Sequence, residues 1–202
     1  MKHIISKSCA DAQAYIVPFR AGSHRGVSIA PEMDAAVDLA INGSFGGNLG
    51  ETYAMTLPVG DKLTSIILLG LGADKPSVRD IHTKAAQAFK QAKQLGAKHA
   101  AVMLDQVSEL SESAELFGAL ARLPQLVGYT NSGLKSNPEN KNFEQITSVT
   151  AADTLDAALS EAVATARGTI IARRLCNLRS NEQTPQSLAA AACWAECSWA
   201  NS

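Results

Sequence analysis

Cys193 and Cys197 stand four positions apart near the end of the chain. On a helix that spacing puts both thiols on one face, which is half of a tetrahedral zinc site. The other half would need histidine, and His3, His24, His82 and His99 are all remote in sequence. Packing or surface positions on a helix are therefore the expected role of these thiols. Cys9 and Cys176 complete a set whose spacing is not that of a disulfide framework in a small secreted domain.

Glu109, Glu112 and Glu115 lie close together. Paired carboxylates can move protons, but acids at the start of a helix more often complement its positive end and solvate its face. His24 sits beside Ser23 in "GSHRGVS", yet nothing fixes the acid that a triad requires. His82 is a second lone histidine, and both are expected at the surface or as satisfied core groups.

Two glycine-rich stretches remain. "GLGADKPS" (70–77) follows a strand pattern and precedes a helix pattern, the place where phosphates are often held. It lacks the third glycine of a dinucleotide fingerprint and the Gly-Lys-Ser/Thr ending of a P-loop, so a tight strand-to-helix turn is expected. "GSFGGNLGET" (43–52) could cradle an anion with backbone amides. No lysine or arginine supports that charge, and a structural turn is expected there too. No residue is assigned as catalytic, cofactor-binding or metal-ligating.

The elements that position these residues follow from periodicity and punctuation. "AQAYIVPF" (12–19) and "TYAMTLPV" (52–59) alternate as strands do. "PEMDAAVDLAING" (31–43) opens on proline, carries acids early and ends on glycine, which is helix punctuation. "KLTSIILLGLG" (62–72) holds the continuous apolar run of a strand buried on both faces. A helix over about 78–95 and a strand at "HAAVMLD" (99–105) complete a parallel crossover unit. A helix over about 111–127, a polar loop at 130–142 and a strand at "FEQITSV" (143–149) follow. This alternation predicts an α/β sandwich around a mixed sheet.

Leu155, Leu159, Val163, Ala166 and Ile170 then mark one apolar face of a long helix over 152–176. Asp153 and Asp156 sit at its start and Arg167, Arg173 and Arg174 at its end, as the helix dipole prefers. Its length of roughly 35 Å suits a connector. Thr184 and Pro185 read as the N-cap and first residue of a further helix. The expected organisation is a domain over 1–150, a connector helix over 151–177, and the beginning of another domain over 178–202.

The chain has 202 residues, 46% hydrophobic, 5% aromatic and a net charge of −1. That is enough to bury one full core, and too little positive charge to hold nucleic acid or an anionic membrane strongly. The densest basic cluster, Arg167, Arg173, Arg174 and Arg179, is small. No apolar run has the length of a signal peptide core or a membrane span, so a soluble, cytoplasmic protein is expected.

"ARRLCNLRSNEQTPQSLA" resembles the start of the catalytic half of the leucyl aminopeptidase (cytosol aminopeptidase) family. Ala172, Arg173, Leu175, Asn177, Asn181, Thr184, Pro185, Leu188 and Ala189 fit that pattern. Arg179 stands where the family usually has proline, a departure expected to loosen the turn. "GSFGGNLGET" resembles the family's glycine-rich segment, and "IILLGLGADKPSVRDIHTKAAQAF" its strand, turn and helix. "LVGYTNSGLKS" is similar to its tyrosine-lysine segment, with Asn131 and Ser132 in place of the usual aromatic-acid pair.

The resemblance implies a macro-like N-terminal domain, joined by a long helix to a larger catalytic domain. It implies cytoplasmic metalloaminopeptidases, usually hexamers, that use two divalent ions such as zinc or manganese to remove N-terminal residues from peptides. The family's metal ligands lie in catalytic-domain motifs that these residues do not contain. The expectation is thus a non-catalytic N-terminal domain, cut off just inside the catalytic domain, inactive alone, and serving assembly and domain arrangement. A stand-alone macro-like module that binds a nucleotide or ADP-ribose through the two glycine loops is the alternative. DNA contact, reported for some members, is disfavoured by the net charge of −1.

Overall fold

The computed structural model describes residues 1–22, 31–130, 142–179 and 182–200, with side chains from Met33 in the first helix and up to Cys193 in the last. His24, Ser23, Asn131, Ser132, Asn181 and the side chain of Cys197 lie outside the described residues.

Six strands form one mixed sheet. They are β1 (Lys2–Ser6), β2 (Ala14–Phe19), β3 (Thr52–Val59), β4 (Lys62–Gly70), β5 (His99–Met103) and β6 (Gln145–Val149). Their order is β1-β6-β5-β2-β4-β3. All neighbours are parallel except the edge strand β3, which runs antiparallel to β4. The β3–β4 hairpin turns at Gly60, whose φ of 58° is the left-handed conformation glycine adopts freely.

The central strands read as they do because they are covered on both sides. Every residue of β2 is buried, and so is every residue of β4 from Thr64 onward. On one face Ala14, Ile16, Ile67 and Leu69 meet Phe89 and Ala92 of α3 (Ala86–Gln94), Phe117 and Leu120 of α5 (Ala114–Gly128), and Leu159 of α6 (Asp156–Cys176). On the other face Tyr15, Val17, Ile66 and Leu68 meet Met33, Val37 and Ala40 of α1 (Pro31–Gly43). A single register slip would exchange these two sets.

The helix expected over 78–95 has three parts: α2 (Val78–Asp80), one π-helical turn (Ile81–Ala85) and α3. Ser77 and Asp80 form a capping box at its start. The strand expected to run to residue 105 ends at Met103, where a 3-10 turn, Leu104–Gln106, takes over. The helix expected from 111 starts earlier, as α4 (Ser108–Glu112), and restarts as α5 after Ser113, whose hydroxyl accepts from the Leu116 N–H at 3.3 Å. Strand β1 had no counterpart among the expected elements.

α6 begins at Asp156. Asp153 lies before it and pairs with Lys7 at 3.4 Å rather than joining its first turn. The helix packs along α5. Leu159, Ala162 and Ala166 are buried, whereas Arg173, Arg174 and Cys176 are exposed. The last helix, α7, spans Pro185–Ala200, and the Thr184 hydroxyl caps it by accepting from the Ser187 N–H at 3.2 Å.

Candidate functional site

The chain leaves β2 toward β3 and β4 on one side of the sheet and leaves β5 toward β6 on the other. Between these two carboxyl ends lies a topological switch point, the place where open α/β sheets bind ligands. A crevice of about 320 Å³ opens there, with Arg20, Gly22, Ala73, Gln106, Ser108 and Glu109 in its walls. Arg20 follows β2 directly, and the other polar groups follow β5 on the 3-10 turn and α4.

The Arg20 guanidinium donates to the Glu109 carboxylate and to the Ala73 carbonyl. Both charged side chains are about three-quarters covered, with 26% and 21% of their surface exposed. The hydrogen bond from its own backbone N–H, helped by the nearby Arg20 charge, holds the Glu109 carboxyl below its ordinary range, although partial burial opposes this. The Gln106 Oε1 atom is buried and accepts no hydrogen bond.

The three glutamates grouped by sequence therefore separate. Glu109 is in the first turn of α4, as expected of a helix-start acid, and also holds Arg20. Glu112 ends α4, and Glu115 opens α5; both are exposed. They do not converge on a common point of chemistry.

The glycine loop after α1 is packed rather than open. The Gly50 N–H donates to the Gly70 carbonyl, and the Gly72 N–H to the Gly47 carbonyl, so the loop lies against the end of β4. A Cβ on Gly70 would fall 2.1 Å from the Asn48 carbonyl oxygen. The anion that the loop's amides could hold is already present in the chain. The Glu51 carboxylate accepts from the backbone N–H groups of Gly46 at 3.0 Å and Asn48 at 2.9 Å, and from the Asn48 side-chain amide at 3.1 Å. These bonds, those of Gly46 and Asn48 foremost, lower the Glu51 pKa.

Histidines and cysteines distant in sequence do meet in one place. His99 Nε2 lies 3.8 Å from Cys9 Sγ and 2.9 Å from Thr147 Oγ1. His82 is exposed on the π-helical turn, and Cys176 and Cys193 are exposed free thiols. Among the described residues, no group of three His, Cys, Asp or Glu stands where it could hold a metal ion. Divalent metals thus find no donor set among those residues.

The junction stretch joins α6, which ends at Cys176, to α7, which begins at Pro185. The Arg179 carbonyl accepts from the N–H groups of Glu182 and Gln183 at 2.9 and 3.0 Å, and the Asn177 side chain donates to the Tyr129 hydroxyl at 2.9 Å.

A model of the N-terminal domain of the cytosol aminopeptidase family matches residues 34–138, just over half of the chain. The chain belongs to that family.

Solved structures agree on the fold of this aminopeptidase-family domain. A tomato leucine aminopeptidase mutant is 20% identical with a TM-score of 0.72, over 94% of this chain and 41% of that one. The bottromycin maturation enzyme BotP is 20% identical with a TM-score of 0.64, over 89% of this chain and 36% of that one. The same enzyme in complex with Mn is 18% identical with a TM-score of 0.62, over 89% of this chain and 35% of that one. The chain therefore spans well under half the length of these proteins. No curated protein sequence matches it. Among the described residues, no helix is long and apolar enough to cross a membrane.

Proposed function

We propose that this chain serves as the N-terminal, non-catalytic domain of a leucyl-aminopeptidase-like metallopeptidase. The observation that carries this reading is the family match over residues 34–138, which contains both glycine loops and the helices after them. Membership in the family implies a catalytic partner domain, which would hold the two divalent ions, zinc or manganese, and bind the peptide. The domain's own part is assembly and the placement of that partner.

The last elements support such a role. Ile170, Ile171 and Leu175 near the end of α6 are only half-buried, and Leu178 and Leu188 are exposed, so apolar surface is available around the junction. A homo-oligomer, hexameric as in the family, and a cytoplasmic location belong to the same reading. A macro-like module for a nucleotide or ADP-ribose has less support, because Glu51 fills the loop amides and Glu109 places a negative charge in the crevice. Assay of the pure chain on leucine anilide, with and without manganese, tests the proposal.

A further inference from the structure

β3 is the edge of the sheet, and among the described residues only β4 pairs with it. The phase of that ladder is set at both ends. At one end the Gly70 N–H donates to the Glu51 carbonyl at 2.8 Å. At the other, Val59 and Lys62 flank the tight turn at Gly60 and Asp61. Bonded and non-bonded pairs alternate along an antiparallel ladder, so Tyr53, Met55, Leu57 and Val59 bond to β4. Thr52, Ala54 and Thr56 therefore turn their N–H and C=O groups outward. Pro58 turns out a carbonyl alone, since it has no N–H. Among the described residues, nothing bonds to these outward backbone groups. Sheet edges are ordinarily blunted by lysine, by a central bulge or by a covering element. This strand has no charged residue from Thr52 to Val59, and its one proline stands near the turn.

We propose that this edge pairs with β3 of a second copy of the chain, antiparallel and two-fold symmetric, with Ala54 opposite the partner's Ala54. That register sets Thr52 opposite the partner's Thr56 at each end. Every outward N–H of Thr52, Ala54 and Thr56, on both copies, then meets an outward carbonyl of the same set. Pro58 falls beyond the ladder. A shift toward the turn would put Pro58 opposite Thr52 and leave each Thr52 carbonyl without a donor. On the α1 face of the sheet, Tyr53, exposed at 38%, comes beside the partner's half-buried Met55, as a close-approaching pair that suits a sulfur–aromatic contact. Charge favours a second copy as well. The uncharged strands do not repel, and antiparallel pairing brings the Glu51 end of each to the Lys62 end of the other. Such a contact closes on itself and covers both edges at once. It rests on the homo-oligomer part of the proposed function and not on peptidase chemistry.

Light scattering and amide hydrogen exchange of the full chain over a concentration series test it. A dimer is expected at about 100 μM, with the amides of Thr52, Ala54 and Thr56 protected. Dilution to monomer should expose these three while Tyr53, Met55 and Leu57 stay protected. Ala54→Pro removes an outward N–H at the centre of the contact and no bond to β4, so it is expected to weaken the dimer by about tenfold or more. If that variant does not fold, Ala54→Lys, which sets like charges opposite each other at an exposed position, is expected to act likewise. An assembly whose amides at Thr52, Ala54 and Thr56 exchange freely would overturn this contact and leave the homo-oligomer standing. A monomer up to about 1 mM would overturn both. Protection of the three amides in the monomer, or unchanged dimerisation of the Ala54 variants, would each overturn the pairing.

Discussion

A Cβ placed on Gly70 would sit 2.1 Å from the carbonyl oxygen of Asn48. The clash is with backbone, and the Gly47 carbonyl carbon lies only 2.7 Å away on the same side. Nothing there is a flexible side-chain end that could swing aside. Gly70→Ala is therefore expected to destabilise the chain by about 3 kcal/mol, at the upper end of overpacking costs. Gly118→Ala, in the interior of α5 with nothing within 4 Å, is expected to be neutral or to stabilise by about 0.5–1 kcal/mol. Urea unfolding of both variants reads the difference, and similar midpoints would show that the loop is not packed against β4.

Glu51→Gln tests the internal anion in that loop. Its carboxylate is held by the amides of Gly46 and Asn48, and the pKa is lowered from 4.5 in the folded state. A lowered carboxyl pKa contributes stability that is present above 4.5 and lost as pH falls through the folded value. The site is largely open to solvent, so the loss on substitution is expected to be modest, about 1 kcal/mol at neutral pH. Denaturation midpoints of the two proteins should converge in acid, and a constant gap down to strongly acidic pH would contradict the assignment.

These two positions show how much of the molecule was legible beforehand. The buried strand at 66–69, the strand at 52–59 and the amphipathic stripe of α6 all follow from period and punctuation, and the structure has them. β1 escaped because "KHIIS" is short and carries three polar residues among its five positions, while its pairing with β6 spans nearly the whole domain. The break at Ser113 escaped because an uninterrupted apolar period hides a cap. A serine beside the start of that period was the available signal.

The site was less legible than the fold. Glu51 is hard to read from sequence because an anion cradle is ordinarily marked by a nearby basic residue, and here the anion is internal to the loop. The signal was an acid one residue after the last loop glycine. Arg20 and Glu109 are 89 positions apart, and only the sheet order brings them together. Cys9 and His99 are likewise 90 apart and meet at 3.8 Å. Contacts of that separation are properties of topology, which local spacing does not encode.

His3 gives a pH dependence of its own. Burial pushes its pKa from 6.5 down to about 4; its Nε2 is bonded to Ser148 Oγ at 2.9 Å, and its Nδ1 is buried without a partner. The folded chain favours neutral imidazole, so the contribution is complete above pH 6.5 and is lost as pH falls from there toward about 4. At about 1.4 kcal/mol per unit the loss is on the order of 3 kcal/mol. His3→Leu, which cannot titrate, should flatten this part of the stability–pH curve. An equally steep fall in the variant would assign the acid sensitivity to other groups.

The central claim is that this aminopeptidase-family chain is a non-catalytic domain. Its most direct test is hydrolysis of leucine anilide by the purified chain, alone and with added manganese or zinc. The account predicts no turnover above buffer under any of these conditions. Robust, metal-dependent turnover by pure chain would contradict it.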